Sequence, residues 1–465
     1  MTPEVPPGMF VSGPLALRDA ALFTDLYELT MAASYFREGM HEEPAAFSLF
    51  VRRLPPGRSF LVAAGLEDAL AYLQSLRFSE AAIAYLDSLR RFPPDFLDYL
   101  RSLRFTGEVR ALPEGTVFLA DEPLLEVRAP AVEAQLVETA VINFCHLQTL
   151  LASKAARCVI AARGRPVIDF GLRRAHGIDA GMKAARASHI AGAVMSSNVL
   201  AGEYYRIPPT GTMAHSYVSA FPREADAFRA FARAFPDNTV LLLDTYDTLA
   251  GARTAAAVGR ELEAAGRRLF AVRLDSGDVL SLSREVRRIL DEAGLMSVRI
   301  VVSGGLDEMD VERFVEAGAP IDVFAVGTRM DVSADAPYLD IAYKLVSFGG
   351  RDVMKQSTGK RTWPGEKQVY RFRDTDGRYA GDLVALRDEP PPEGGEPLLR
   401  TVMEDGQPVL PGETLDAMRE RCAAQIAALP EDVRRLRSGA LYPVRYSERL
   451  IALTRAVEQQ SGTEI

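Results

Sequence analysis

The sequence predicts an α/β protein whose centre is a closed, slightly irregular parallel barrel of seven strands. Between Arg165 and about Arg329, seven short apolar runs recur: PVIDF, GAVM, GTMA, VLLLD, LFAVRLD, VRIVVSGG and DVFAVGT. Most are about 25 to 30 residues apart, the length a strand and its crossover helix need, which implies parallel pairing. Each run ends in polar or glycine residues and gives way to a helical pattern. No G-x-G-x-x-G fingerprint interrupts the series, so a barrel is preferred to a doubly wound nucleotide-binding sheet.

The elements before the barrel begin with DLYELTMAASYF, EDALAYLQSLRF and FLDYLRSLRF, whose apolar residues recur at helical spacing. From Gly107, GEVRALPEGTVFLADEPLLEVRAP reads as short β-prone runs cut by Pro and Gly, a small antiparallel sheet with tight turns. The run AVEAQLVETAVINFCHLQTLLASKAARCVIAAR is a long helix leading into the barrel. Beyond the barrel, DGRYAGDLVALRDEPPPEGGEPL predicts a hairpin and a Pro/Gly-rich connection, and ETLDAMRERCAAQIAALP a closing helix.

A chain of 465 residues corresponds to about three domains, and 48% apolar residues suffice for a core without disulfides or a structural metal. The net charge of −9 argues against a nucleic-acid partner, which calls for a basic face. The lysines are few: Lys154, Lys183, Lys344, Lys355, Lys360 and Lys367, four of them between Lys344 and Lys367. Cys145, Cys158 and Cys422 are odd in number and scattered, neither a C-x-x-C site nor a secreted framework, and point to a reducing compartment. The start, MTPEVPPGMFVSGP, has no basic region followed by an apolar one, and no segment approaches a spanning helix. A cytoplasmic protein acting on small molecules, with no membrane partner, is expected.

In such barrels the chemistry gathers where strands end at the C-terminal face. Those ends carry Asp169, Phe170 and Arg173; Ser196, Ser197 and Asn198; His215; Asp244 and Asp247; Arg273, Asp275 and Asp278; Ser303, Gly304 and Gly305; and Gly327, Thr328 and Arg329. The four carboxylates Asp244, Asp247, Asp275 and Asp278 suit a magnesium–polyphosphate substrate, since Mg²⁺ takes a carboxylate or two plus substrate phosphates; helix capping is the alternative. Glycines in VSGG and VGTR expose backbone N–H groups that can cradle a phosphate. No G-x-x-x-x-G-K-[ST] is present, so any ATP is held without a P-loop. His215 has the chemistry of a general base, a metal ligand or a phosphoryl-accepting nucleophile, with Asp247 as its candidate orienting carboxylate; a structural histidine is the alternative. Phe170 beside Arg173 and Arg174 suits a planar carboxylate, by stacking and an arginine fork, unless Phe170 is core.

The order TDLYELTM, RPVIDFGLRRAHG, SSNVLAG, GTMAHS, LLDTYDT, RLDSGD, VSGG, VGT, YKLV and MKQSTGK, from about Leu22 to Lys367, strongly resembles the nicotinate phosphoribosyltransferases. The resemblance implies transfer of phosphoribose from phosphoribosyl pyrophosphate to the ring nitrogen of nicotinate, giving the mononucleotide and pyrophosphate for NAD salvage. It implies Mg²⁺, ATP as co-substrate hydrolysed through a phosphohistidine at His215, and a homodimer with shared active sites. By the same match, Tyr27 from the other subunit and Phe170 sandwich the pyridine ring, while Arg173, Thr212 and Arg273 contact the substrate. Ser303, Gly304, Gly305, Gly327 and Thr328 grip phosphate. Asp275 and Asp278 hold the ribose and the metal-bound pyrophosphate, directly or through water, and Asp247 holds the histidine. The architecture implied is a seven-stranded α/β barrel with a second α/β domain from flanking segments. Its parts here would be an extension over 1–21, an N-terminal α/β part over 22–150, the barrel with the active site over 151–345, and a C-terminal part over 346–465 packing on the flanking domain.

The coupled reaction makes Asp275 the candidate carboxylate for the developing ribosyl cation, and Lys355 and Lys360 candidates for the response when His215 gains a phosphoryl charge, a solvated loop being the alternative for the two lysines. Nicotinate is preferred to nicotinamide because Ser196, Ser197 and Asn198 offer no acid to accept from an amide. Three other readings stand beside this one: a quinolinate phosphoribosyltransferase, which needs no ATP; a nicotinamide-specific enzyme; and a non-catalytic nucleotide-binding barrel.

Overall fold

Parallel strands are joined by crossover helices, and six of the seven apolar runs form a parallel sheet. In this computed structural model, which describes residues 19–357, 361–437 and 440–463, the chain divides into two compact units. One is Lys154–Asp335; the other joins the chain up to Ser153 with the chain from Ala336 onward.

The parallel sheet belongs to Lys154–Asp335 and contains β1 (Val167–Asp169), β2 (Met195–Ser196), β3 (Thr239–Leu242), β4 (Leu269–Leu274), β5 (Arg299–Val302) and β6 (Val323–Val326). Every pairing is parallel, in the order β2-β1-β6-β5-β4-β3. That is the neighbour order of a ring opened between β2 and β3, a curled half-barrel. Its helices are α1 (Ile178–Ile190), α2 (Val199–Tyr205), α3 (His215–Ser219), α4 (Glu224–Ala234), α5 (Thr248–Ala264), α6 (Val279–Glu292), α7 (Glu308–Glu316) and α8 (Thr328–Asp331). Helix α6 buries Val279, Ser283, Val286, Ile289 and Leu290, a spacing that lines one helical face.

The closed ladder of seven strands is not formed among the described residues. The GTMA run, 211–214, is not a strand. The chain just before it makes one isolated bridge, Ser196 with Pro209, in which Ser196 N–H donates to Pro208 O at 3.2 Å and Thr210 N–H donates to Ser196 O at 2.9 Å. Pro208 and Pro209 have no N–H to give, so a ladder cannot continue through them.

The other unit is built on a seven-stranded sheet in which Pro44–Val51 pairs antiparallel with both Ile341–Phe348 and Pro123–Pro130. Pro44–Val51 carries no distinct strand signal in the sequence, because AAFSLF is a short continuous apolar run in a region rich in helical patterns. The antiparallel segment expected from Gly107 is there as Glu108–Ala111 on Pro123–Pro130. The expected hairpin starts earlier than DGRYAG: Lys367–Arg373 pairs with Tyr379–Leu386 across a turn where Asp374 accepts from the N–H groups of Asp376 and Arg378.

An ion pair with neither partner exposed pins that hairpin. Arg371 donates to Asp382 through Nε (3.0 Å) and Nη2 (2.6 Å), Tyr442 Oη donates to the same carboxylate at 3.0 Å, and Arg371 Nη1 reaches Val117 O at 2.8 Å. Removing one member strands the other charge away from water. Asp382→Ala is expected to lower the unfolding free energy by about 3–5 kcal/mol, read as a shift in the urea midpoint.

Candidate active site

Alternation along a strand sends residues two apart to the same face. On β1 this puts Phe170, just past the strand end, on the face of Ile168, where it packs on the small apolar cluster of Ile168, Val323 and Ala325. Asp169 points the other way and is buried. Phe170 is held at the strand end by its N–H donating to Val326 O at 2.8 Å, and Arg173 stands exposed in the following 3-10 turn, Leu172–Arg174.

On β4 the same alternation aligns Arg273 with Asp275. Arg273 Nη1 donates to Thr212 Oγ1 at 2.6 Å and to Met213 O at 3.2 Å, and Nη2 lies 3.8 Å from Asp275 Oδ1. Burial lowers the pKa of this guanidinium, Asp275 and Asp244 oppose that, and the charge of Arg173 adds to it. Its Nε is buried without a partner among the described residues, a donor available to a ligand.

His215 begins α3 instead of ending a strand. Its Nδ1 is 3.1 Å from Thr245 Oγ1 and its Nε2 is 3.7 Å from Asp275 Oδ2. In the tautomer whose Nδ1–H donates to the threonine hydroxyl, the lone pair is on Nε2. Asp247, expected to orient this ring, has another hydrogen bond: its Oδ1 caps α5 by accepting from Ala250 N–H at 2.7 Å. Thr245, in the same LLDTYDT segment, takes the place at Nδ1; no role was read for it because a threonine between two aspartates gives no charge signal.

Asp275 is about a quarter exposed, with Oδ1 accepting from the Ser303 hydroxyl. Ser303 is thereby committed to a carboxylate. Asp244 Oδ2 accepts from Asp275 N–H at 3.1 Å and from the Ser276 hydroxyl, which sets the turn after β4. Asp278, just before α6, is exposed; Ser281 Oγ donates to it at 2.6 Å and holds its pKa below the usual carboxylate range.

The glycines show why those strand ends close so tightly. Gly304 has φ +94°, and a Cβ there would lie 1.8 Å from Asp275 O. Gly305 follows at φ +70°, and a Cβ on Gly327 would lie 2.9 Å from Phe170 O. Thr328, the first residue of α8, accepts from Arg174 Nη1 at 3.1 Å.

In the SSN segment, Ser196 donates to Asp169 Oδ2 at 2.6 Å and accepts from Asn198 N–H at 3.0 Å. Asn198 caps α2 through Ala201 N–H at 3.1 Å and donates to Gly181 O at 3.2 Å. Both are buried and committed, so only Ser197, which is half-buried, retains a hydroxyl outside that network.

Tyr27 lies in the other unit, 48% exposed on the helix Leu26–Arg37. Burial first, then Glu138 and Glu28, raise its phenol pKa. The adjacent Glu28 is fully buried, accepts from the hydroxyls of Thr24 and Thr139, and is pushed up to about 7 by burial. Lys355 is exposed in the same unit; Lys360 lies outside the described residues.

Among the described residues no group of three or more His, Cys, Asp or Glu forms a metal cage. Asp275 and the exposed Asp278 are two carboxylates of one turn, after β4, and a carboxylate or two is what Mg²⁺ takes when substrate oxygens and water fill its other positions. No helix among the described residues is long and apolar enough to cross a membrane.

Comparison with known proteins places family models along most of the chain. The nicotinate phosphoribosyltransferase (NAPRTase) N-terminal domain matches residues 22–146, the NAPRTase family 166–369 and the C-terminal domain 394–454. A nicotinate phosphoribosyltransferase of Mycobacterium tuberculosis, pncB2, is 50% identical over 93% of this chain and 92% of its own. The crystal structure of human nicotinic acid phosphoribosyltransferase superposes with a TM-score of 0.84 at 34% identity, covering 93% of this chain and 99% of that one. A nicotinate-nucleotide pyrophosphorylase structure from Pyrococcus furiosus gives 0.72 at 26% identity, over 90% and 98%.

Gly304→Ala is expected to destabilise the fold by about 1–3 kcal/mol from the backbone conformation alone, with the clash on Asp275 O adding to it. A thermal unfolding curve unchanged from the parent would contradict this account of the β4–β5 approach.

Proposed function

Because the chain belongs to the nicotinate phosphoribosyltransferase family, we propose that it transfers phosphoribose from phosphoribosyl pyrophosphate to nicotinate, giving nicotinate mononucleotide and pyrophosphate for NAD salvage. The observation that carries this reading is one mouth holding an aromatic ring with arginines, a histidine between Thr245 and Asp275, and glycine-lined strand ends. These are the parts needed to hold a planar acid, an anomeric carbon and a diphosphate.

Phe170 stacks on the pyridine ring, with Arg173 and the Arg273–Thr212 pair on its carboxylate and edge. Tyr27 covers the other face from the second subunit of a homodimer. The ring nitrogen forms its bond to the anomeric carbon as the bond from that carbon to the pyrophosphate oxygen breaks. Positive charge builds on the ribose, where the Asp275 carboxylate stabilises it. The backbone N–H groups of Gly304, Gly305, Gly327 and Thr328 take phosphate oxygens. Asp275 and Asp278 would hold Mg²⁺, directly or through water, which when bound supplies charge for the leaving pyrophosphate.

ATP is coupled through His215. Nε2 forms a bond to the γ-phosphorus as the bond to the bridging oxygen of ADP breaks, and water later returns the group as phosphate. The phosphorylated ring carries about −1.5 to −2 charges, and the observed Nε2 position puts them beside Asp275, so the arginines at the mouth must rearrange. Asp247 holds the start of α5, the helix that follows the Thr245 segment. The three cysteines are free and buried, which suits the cytoplasm.

The first test is mononucleotide formation from nicotinate, nicotinamide and quinolinate with phosphoribosyl pyrophosphate and Mg²⁺, each with and without ATP. Nicotinate turnover raised by ATP, with the ATP effect lost in His215→Ala, is the expected result. Quinolinate turnover without ATP would replace this reading with that of a pyrophosphorylase, and binding without turnover would leave a regulator. Ser197→Asp is expected to lower kcat/KM for nicotinate by roughly tenfold or more through charge repulsion, whereas Ser197→Ala leaves it nearly unchanged. Equal nicotinate kinetics in all three proteins would remove Ser197 from the site.

A further inference from the structure

Behind the proposed nicotinate site, two carboxyl groups are buried against each other. Asp169 ends β1 with 1% exposure; its Oδ1 accepts from Gly171 N–H at 2.9 Å and its Oδ2 from Ser196 Oγ at 2.6 Å. Asp331 ends α8 with 4% exposure, and neither of its oxygens has a donor among the described residues. Gly171 links the two: its N–H binds Asp169, and a Cβ on it would lie 2.1 Å from Asp331 Oδ2. Position 171 must therefore be glycine for Asp331 to fit, and Asp331 must lie over that glycine.

A buried carboxylate with no donor is costly, and two adjacent ionised ones more so. Surrounding cations do not solve the problem. Arg174 donates to Thr328, and Arg329 on α8 binds Asp307 at 2.7 Å and Asp310 at 3.4 Å. Arg173 on the turn and Lys183, Arg186 and His189 on α1 make no hydrogen bond to Asp331, whose oxygens have none. A proton on Asp331 solves it. Asp169 already accepts two hydrogen bonds and is the natural carboxylate, and Asp331 is the natural donor.

We infer that Asp331 is a positioning residue that works as a neutral acid: its O–H donates to Asp169, and the joined pair clamps Gly171 and so fixes Phe170 and Arg173 on either side of it. The direction of titration agrees. Burial, then the charge of Asp169, raise Asp331 well above the carboxylate range, and burial raises Asp169. The link to nicotinate rests on the proposed function; the protonated pair does not.

Two measurements therefore need no turnover. In the full-length protein at neutral pH, the infrared difference between the parent and Asp331→Asn should contain the C=O stretching band of a protonated carboxyl, identified by its shift in D2O. Amide hydrogen exchange across 170–174 should speed up in Asp331→Ala, or in Asp331→Ser if the alanine variant does not fold, and return toward the parent in Asp331→Asn, whose amide can donate to Asp169. With nicotinate as substrate, the truncation should raise KM for nicotinate roughly tenfold while kcat and KM for phosphoribosyl pyrophosphate hold, and Asn should rescue it.

An infrared difference spectrum between parent and Asp331→Asn without that band overturns the neutral acid. The band together with unchanged exchange in the truncations overturns the clamp. Faster exchange with an unchanged KM for nicotinate overturns its role at the substrate. Absence of nicotinate turnover in the parent defeats the proposed function instead, and the first two measurements still decide the pair.

Discussion

Arg273 is the tie on which the parallel unit's functional side depends. Where backbone pairing stops between β2 and β3, its Nη1 reaches both the hydroxyl of Thr212 and the carbonyl of Met213. The segment that delivers His215 is thus tethered to β4 by a side chain and not by a ladder. A ladder would have held residues 211–214 in a strand, whereas the tether leaves the chain free to turn into α3 immediately, with His215 as its first residue. The same guanidinium lies 3.8 Å from Asp275, so loop, strand end and carboxylate share one cation.

Around that tie the strand ends interlock through backbone approaches and buried acids. Gly304 lets the turn after β5 touch the carbonyl of Asp275, and Gly327 lets the turn after β6 touch that of Phe170. Three groups at the strand ends are then held by a neighbour from another strand: the Asp275 carboxylate by Ser303, the Asp169 carboxylate by Ser196, and the Asp275 N–H by Asp244. Such preorganisation means that binding energy is not consumed in ordering the site. The polar residues that never meet the substrate in this account are as necessary to the geometry as those that do.

The strands were legible because parallel strands buried on both faces read as continuous apolar runs, and their Asp, Asn and Gly ends mark the turn into a helix. GTMA looked the same on that criterion, and only the prolines at 208 and 209 distinguish it, through missing N–H donors that matter only where a neighbouring strand waits for them. Pro44–Val51 was hidden for the opposite reason: its neighbours Ile341–Phe348 and Pro123–Pro130 lie far away in the chain, so no local hairpin signal announces it.

The sequence by itself determined the chemical inventory and its order along the chain: the ring at Phe170, the arginines, His215, the carboxylates at the ends of β1, β3 and β4, and the glycines where the backbone must bend. Those are local choices, written in residue type and spacing. Tertiary structure decided who serves whom. It set Thr245 rather than Asp247 beside His215, turned Ser196, Asn198 and Ser303 into supports for other groups, and buried Asp331 over Gly171. Hydrogen-bond partners and burial depend on which distant segments meet, and that information exists only once the sheet has brought residues 27 to 160 positions apart in sequence to within contact.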